Sequence, residues 1–278
     1  MVANTASLPP AILLLGPTAS GKTDLALQLA DQYPVDLISV DSALVFKDMN
    51  IGTAKPYAET LRNYPHALVD VITPEESYSA ARFRDDALVA MADSTVRGRI
   101  PLLVGGTMLY IKALLEGLSD LPQADATLRA DIDARARLLG WPAIHQELAK
   151  LDPITAERLA LNDSQRIQRA LEICLLSGQP ASKLYAEQQQ QIAPPYRFLS
   201  LALLPSDRAW LHERIARRFK HMLQQGLVEE VEALRAKYVL NADLPSMRCV
   251  GYRQAWDVLE NTLAANELEE RGIYATRQ

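Results

Sequence analysis

The sequence predicts an α/β protein: a parallel sheet with helices on both faces, interrupted by an all-helical insertion domain. Three observations carry that expectation. Short continuous apolar runs, "AILLL", "VDLISVDS" and "IPLLVGG", alternate with helix-length amphipathic stretches, the rhythm of buried parallel strands. From about Gly117 to Gly178 the strands stop and only helical periodicity remains. A strand-like run, "FLSLALL", then returns, which favours one sheet interrupted over two successive domains. The expected boundaries are residues 1–117 and 196–278 for the core and 118–195 for the insertion.

Each element has its own warrant. Residues 1–10 are small, polar and proline-ended, and read as a loose tail. "AILLL" is the first strand, and Asp24 to Tyr33 a helix with Leu25, Ala26 and Leu29 on one side. "VDLISVDS" is the second strand, "ALVDVI" a candidate third, and Ala80 to Val96 a helix before "IPLLVGG". Inside the insertion, Gly140-Trp141-Pro142 and Leu151-Asp152-Pro153 each end one helix and start another. The helix from Asp163 is expected to bury Ile167, Leu171 and Leu175, leaving Gln165, Arg166, Gln168 and Arg169 on its polar side. "AEQQQQIAPPYR" reads as an exposed connection. After the last strand, a helix buries Ile215, Phe219 and Met222, with Arg214 and Arg218 one turn apart beside that stripe.

Composition excludes several classes of protein. With 278 residues, 49% apolar and 23% charged, the chain can bury one or two ordinary cores. The run Ala11 to Leu15 is far too short to span a bilayer and has no basic segment before it. The expected setting is therefore the cytoplasm, with no membrane partner; separately, the chain is expected to be a monomer. Cys174 and Cys249 fit no metal or redox spacing and read as reduced thiols. A net charge of −5 argues against unselective coating of nucleic acid. Local basic faces remain at Arg158 to Arg169, at Ser206 to His221 and at "RCVGYR".

The strongest chemical signal is Gly16-Pro17-Thr18-Ala19-Ser20-Gly21-Lys22-Thr23, which matches G-x-x-x-x-G-K-[ST] between a strand and a helix. The glycines let successive N–H groups converge on phosphate oxygens. The helix start adds positive potential, Lys22 a cation, and Thr23 a hydroxyl for Mg²⁺. The expected core is thus P-loop NTPase-like, with the loop as an ATP-binding motif in many of its carriers. A nucleoside triphosphatase, however, usually places an acid at the end of a later strand. Here "IPLLV" runs into Gly105-Gly106-Thr107, and the acid instead ends the second strand, at Asp41. A carboxylate at that sheet edge, where ligands of open α/β sheets lie, suits a base acting on an acceptor, although a turn cap is its plain alternative. A small-molecule kinase and an alkyl transferase both fit, and spacing alone does not choose. A non-catalytic RNA-binding module would also carry the basic faces.

Seven stretches, in order, resemble the tRNA dimethylallyltransferase family: "LLGPTASGKTDLA", "LISVDSALVFKDMNIGTAKP", "YSAARFRDDA", "PLLVGGTMLY", "DSQRIQRALEI", "LPSMRCVGYRQAW" and "ATRQ". Chains of that family usually continue past the last stretch through another helix with RNA contacts. The resemblance implies dimethylallyl diphosphate as donor, Mg²⁺ as cofactor, and an adenine next to the anticodon of tRNA as acceptor. It also implies roles for particular residues. Asp41 would serve as base, the loop and Arg218 as diphosphate clamp, and Thr23 as metal ligand. The tRNA contacts would come from Asp41, Ser42, Ala43 and Leu44, from Thr107 and Arg129, and from Gln165, Arg166, Ile167, Gln168 and Arg169. Arg248, Cys249, Val250, Gly251, Tyr252 and Arg253 complete that set.

Overall fold

The computed structural model describes residues 8–117, 121–122, 124–187 and 194–277. The chain runs β1 (Pro10–Leu15), α1 (Lys22–Gln32), β2 (Val35–Val40), α2 (Ala58–Asn63), β3 (His66–Ala67), α3 (Ala80–Val96), β4 (Ile100–Gly105) and α4 (Met108–Glu116). It continues through α5 (Ala126–Leu139), α6 (Trp141–Leu151), α7 (Pro153–Arg158), α8 (Ser164–Ser177) and α9 (Ala181–Glu187) before β5 (Arg197–Ala202). Four helices close it: α10 (Arg208–Gln224), α11 (Leu227–Lys237), α12 (Tyr252–Leu259) and α13 (Leu268–Arg277).

The five strands form one sheet in the order β3-β2-β4-β1-β5, with every described pairing parallel. Each strand is therefore reached by a crossover, which is why helices must lie between them in sequence. One sheet face packs Ala11, Leu13, Ile38, Val40 and Leu103 against α3 and α4. The other packs Leu14, Leu37, Leu102 and Val104 against Ala26 and its neighbours on α1. A third cluster joins Val45, Phe46 and Met49, just after β2, to Phe219 and Met222 of α10 and to buried residues of α11 and α12. That cluster ties the β2 exit to the C-terminal helices.

Contacts divide the chain into two compact units, residues 1–115 with 194–278, and residues 116–193. Among the described residues the second has helices and no strand, with its own core around Ile132, Ile144, Leu148, Ile167 and Leu171. Gly140, at φ 83°, lets α5 stop and α6 begin at once, with proline in the first turn of α6. Asp152 does the same between α6 and α7, accepting a cap bond from the Thr155 N–H.

Two expectations are corrected. "ALVDVI" forms a strand only at Ala67, because Leu68 and Asp70 both take positive φ and turn the chain out of the sheet. Ile72 instead makes an isolated bridge to Phe46. On α8 the buried stripe runs through Ile167, Leu171 and Cys174, while Leu175 is exposed. A helix of 3.6 residues per turn carries position 175 off the face that 167 and 171 begin. The glutamine run at 188–191 and most of the N-terminal tail lie outside the described residues.

Candidate active site

The phosphate-binding loop bridges β1 and α1. Ala19 at φ 65° and Gly21 at φ 93° both occupy the left-handed region, which curls the backbone into a concavity. Gly21 caps α1 without any side-chain bond, so the first N–H groups of the helix stay open toward that concavity. The Ser20 hydroxyl is buried and has no hydrogen-bond partner among the described residues. A buried, unpartnered hydroxyl in this loop is what a phosphate oxygen would satisfy. The loop is braced from both sides. Lys22 Nζ donates to the Pro17 carbonyl at 3.0 Å, and Arg214 Nε donates to the Ala19 carbonyl at 2.9 Å. The Arg214 guanidinium also lies over the Trp210 ring, 4.8 Å from its centroid. Outside the loop opens a cleft of about 930 Å³, with Thr23, Lys55, Tyr57, Arg217 and Arg218 among its walls.

Asp41 follows β2 directly and is half-buried. Its Oδ1 accepts from the Ala43 N–H at 2.8 Å, so the carboxylate does cap a turn. Its other oxygen takes no hydrogen bond among the described residues. The electrostatics show what it faces. Burial pulls the Lys22 ammonium below its ordinary pKa; the charge of Asp41 pushes it back up, and Arg218 pulls it down. Arg218 behaves alike, lowered by burial and raised by Asp41. The same carboxylate adds to burial in raising the Tyr110 hydroxyl and the Cys249 thiol. Lys22, Asp41 and Arg218 therefore form one interacting group of two cations and an anion. Arg218 Nη2 donates to the Thr53 carbonyl at 3.3 Å and, among the described residues, pairs with no carboxylate.

The end of β4 has a steric reason to lack an acid. A Cβ on Gly105 would lie 2.1 Å from the Val40 carbonyl oxygen. That oxygen also accepts from the N–H groups of Gly106 and Thr107, both at 3.2 Å. Thr107 then reaches across, its Oγ1 accepting from the Ser42 N–H at 3.0 Å. The Gly-Gly-Thr sequence thus locks the turn that presents Asp41.

The remaining candidate residues separate by environment. Ser42 is exposed, Ala43 and Leu44 half-buried. In "RCVGYR", Arg248, Val250 and Arg253 are exposed and Cys249 half-buried, while Gly251 and Tyr252 are buried. Tyr252 has no solvent-facing side-chain surface; its hydroxyl donates to Glu230 at 2.5 Å, which is a packing role. In the helical unit, Gln165 and Arg166 are exposed, with Arg166 held by Asp163 at 2.8 Å. Ile167 belongs to the core and offers no side-chain contact to a ligand. Gln168 donates to Asp133 at 2.6 Å, and Arg129 and Arg169 both bond Glu172.

Sequence reasoning missed two supports of the cleft. Glu230 on α11 accepts from the N–H groups of Asn50, Ile51 and Gly52. Lys55 is buried and donates to the Phe46 carbonyl at 2.8 Å and to Asp70 at 2.5 Å. Nothing in an ordinary amphipathic helix singles out Glu230. Lys55 stands in the family-like stretch ending "TAKP", but its partner Asp70 lies too far along the chain to read from spacing.

The fold and the loop define a P-loop-like α/β protein with a carboxylate, Asp41, directly after the second strand instead of at the end of β4. The chain matches the IPP transferase family over residues 44–278 and belongs to that family. It is 64% identical over 275 residues to a tRNA dimethylallyltransferase of Dechloromonas aromatica, covering 99% of this chain and 87% of that one. It is also 64% identical over 271 residues to a tRNA dimethylallyltransferase of Chromobacterium violaceum, covering 97% and 83%. Among solved structures, it resembles the tRNA isopentenylpyrophosphate transferase of Bacillus halodurans, with TM-score 0.66 and 33% identity over 96% of this chain and 83% of that one. A eukaryotic dimethylallyltransferase acting on tRNA gives TM-score 0.77 and 28% identity over 97% of this chain and 67% of that one.

Proposed function

We propose that this protein, acting as a single chain, transfers a dimethylallyl group from dimethylallyl diphosphate to the exocyclic amine of an adenine next to the anticodon of tRNA. The observation that carries the reading is the joint placement of Lys22, Arg218 and Asp41, two cations and a carboxylate acting on one another beside a phosphate-binding loop. Family membership and relatives named for this transfer support the same reaction.

The chemistry follows from the parts. The carbon–oxygen bond of the donor breaks and both electrons leave with diphosphate. The adenine nitrogen forms the new carbon–nitrogen bond and gives up one proton. Open N–H groups of the loop, Lys22 and Arg218 stabilise the charge that builds on the departing oxygen, where preorganised donors act best. The free oxygen of Asp41 takes the proton from a nitrogen whose lone pair is otherwise spread into the ring. The base must leave its stack to arrive there, at a cost of roughly a few kcal/mol, so the acceptor is an unpaired loop nucleotide.

Mg²⁺ would be held at Thr23, beside the loop. No cluster of three His, Cys, Asp or Glu side chains suited to a metal occurs among the described residues. Thr23, an exposed residue in the first turn of α1, would hold the ion together with phosphate oxygens and water. When bound, the ion neutralises charge on the leaving diphosphate.

The test is direct. Incubated with labelled dimethylallyl diphosphate and unmodified tRNA, the protein transfers label to the RNA. RNA that stays unlabelled, with ATP bound tightly and consumed instead, sinks the proposal in favour of a kinase.

A further inference from the structure

The helical unit holds a charged cluster that neither the phosphate loop nor Asp41 uses. Glu172 on α8 has no exposed surface, yet its carboxylate takes four donors. Oε1 accepts from Arg129 Nε at 2.9 Å and from the Asp125 N–H at 2.8 Å. Oε2 accepts from Arg129 Nη2 at 3.0 Å and from Arg169 Nη1 at 2.5 Å. The second arm of Arg169, Nη2, donates to the Pro122 carbonyl at 2.9 Å. Burial alone would raise the Glu172 carboxyl, but its bonds from Arg129, Arg169 and the Asp125 N–H outweigh that and hold it below the ordinary range. It is therefore ionised, and the three side chains together keep one positive charge.

That surplus charge faces outward. Arg129 and Arg169 keep 38% and 31% of their side-chain surface exposed. A guanidinium has five N–H donors, and the bonds above leave each arginine with donors to spare. A buried ion pair adds little net stability over well-packed apolar side chains. What this arrangement supplies is direction: a two-pronged bond fixes the plane of the Arg129 fork, and Arg169 is fixed at both arms.

We propose that Glu172 is a positioning residue that presets Arg129 and Arg169 as a paired clamp for an RNA phosphate, an inference that rests on the tRNA-directed reading above. Two long side chains ordered before binding lose less freedom when the phosphate arrives. Glu172 touches no substrate and acts through its two partners.

The experiment is steady-state transfer to tRNA by the full chain. Glu172→Gln keeps the shape and removes the charge. It raises the KM for tRNA about tenfold, the loss of about one charge-assisted hydrogen bond, and leaves kcat at saturating tRNA within about twofold. Placed on Arg129→Gln, the same change has a smaller effect, because only Arg169 of its two targets remains. An unchanged tRNA KM in Glu172→Gln, or an undiminished effect on Arg129→Gln, overturns the proposal. Arg129→Lys supplies a second test that does not disturb the buried carboxylate's charge balance. It keeps the cation without the fork, and the proposal expects it to lose as much tRNA affinity as Arg129→Gln; wild-type KM overturns it. A wild-type protein that transfers nothing to tRNA would instead sink the functional reading, so the two failures are separable.

Discussion

Asp41 is both a turn cap and the assigned proton acceptor, and two substitutions separate those roles. Its Oδ1 accepts from the Ala43 N–H at 2.8 Å, a bond that an asparagine oxygen can keep and an alanine cannot. Losing a cap of this kind costs about 1 kcal/mol, so Asp41→Ala is destabilised by that amount while Asp41→Asn melts with the wild type. Chemistry follows the charge. An amide does not take the proton, and loss of a general base lowers kcat by about 100- to 10,000-fold, or about 2.7 to 5.4 kcal/mol. Removing the anion also leaves Lys22 and Arg218 unopposed, so the KM for the diphosphate donor stays level or falls. Single-turnover transfer of labelled donor to tRNA reads the rate, and thermal melting reads the cap. If Asp41→Asn turned over within about tenfold of wild type, the carboxylate would be a cap and nothing more.

Three further outcomes follow from the geometry. Glu230→Gln removes the charge that Asn50, Ile51, Gly52 and Tyr252 donate to, and lowers stability by about 3 kcal/mol in urea denaturation; an unchanged midpoint refutes the role given to this carboxylate. Gly105→Ala places a methyl carbon 2.1 Å from the Val40 oxygen and costs about 3 kcal/mol or more, so near-wild-type stability would contradict the close approach of β2 and β4. The Cys249 thiol, pushed up to about 12 by burial and by Asp41, alkylates with iodoacetamide at pH 8 on the order of a thousandfold slower than a free cysteine. Mass spectrometry of the modified peptide checks this, and equal labelling of native and unfolded protein would count against it.

The legible parts of the fold were those governed by local rules. Ala80 to Val96 is helical over its expected span because its apolar period and its Ser79 cap agree. The breaks at Gly140 and Asp152 are visible because glycine and proline act on the backbone wherever they occur. What stayed hidden depends on partners distant in sequence. "ALVDVI" has the composition of a strand, yet Asp70 turns away to meet Lys55 and Ile72 pairs with Phe46. Tyr252 sits in a stretch that looks like an exposed basic motif, and only the packed structure shows Glu230 drawing it inward. Arg129 and Arg169 read as two separate basic residues until Glu172 joins them.

The same distinction explains why this loop is suited to a leaving diphosphate. In a triphosphatase the later strand carries an acid that organises metal and water. Here the end of β4 has no room for any side chain, since the Val40 oxygen occupies the place a Cβ would take. The close contact that bars an acid from β4 lets Thr107 hold the Ser42 N–H, and so aims the turn carrying Asp41. Moving the carboxylate from one strand end to its neighbour changes what it can serve. Just after β2 it interacts with Lys22 and Arg218 and keeps one oxygen unbonded among the described residues, an arrangement suited to receiving a proton from an incoming nitrogen. In the proposed reaction, Gly105 thus has a steric part in placing the carboxylate that serves as base.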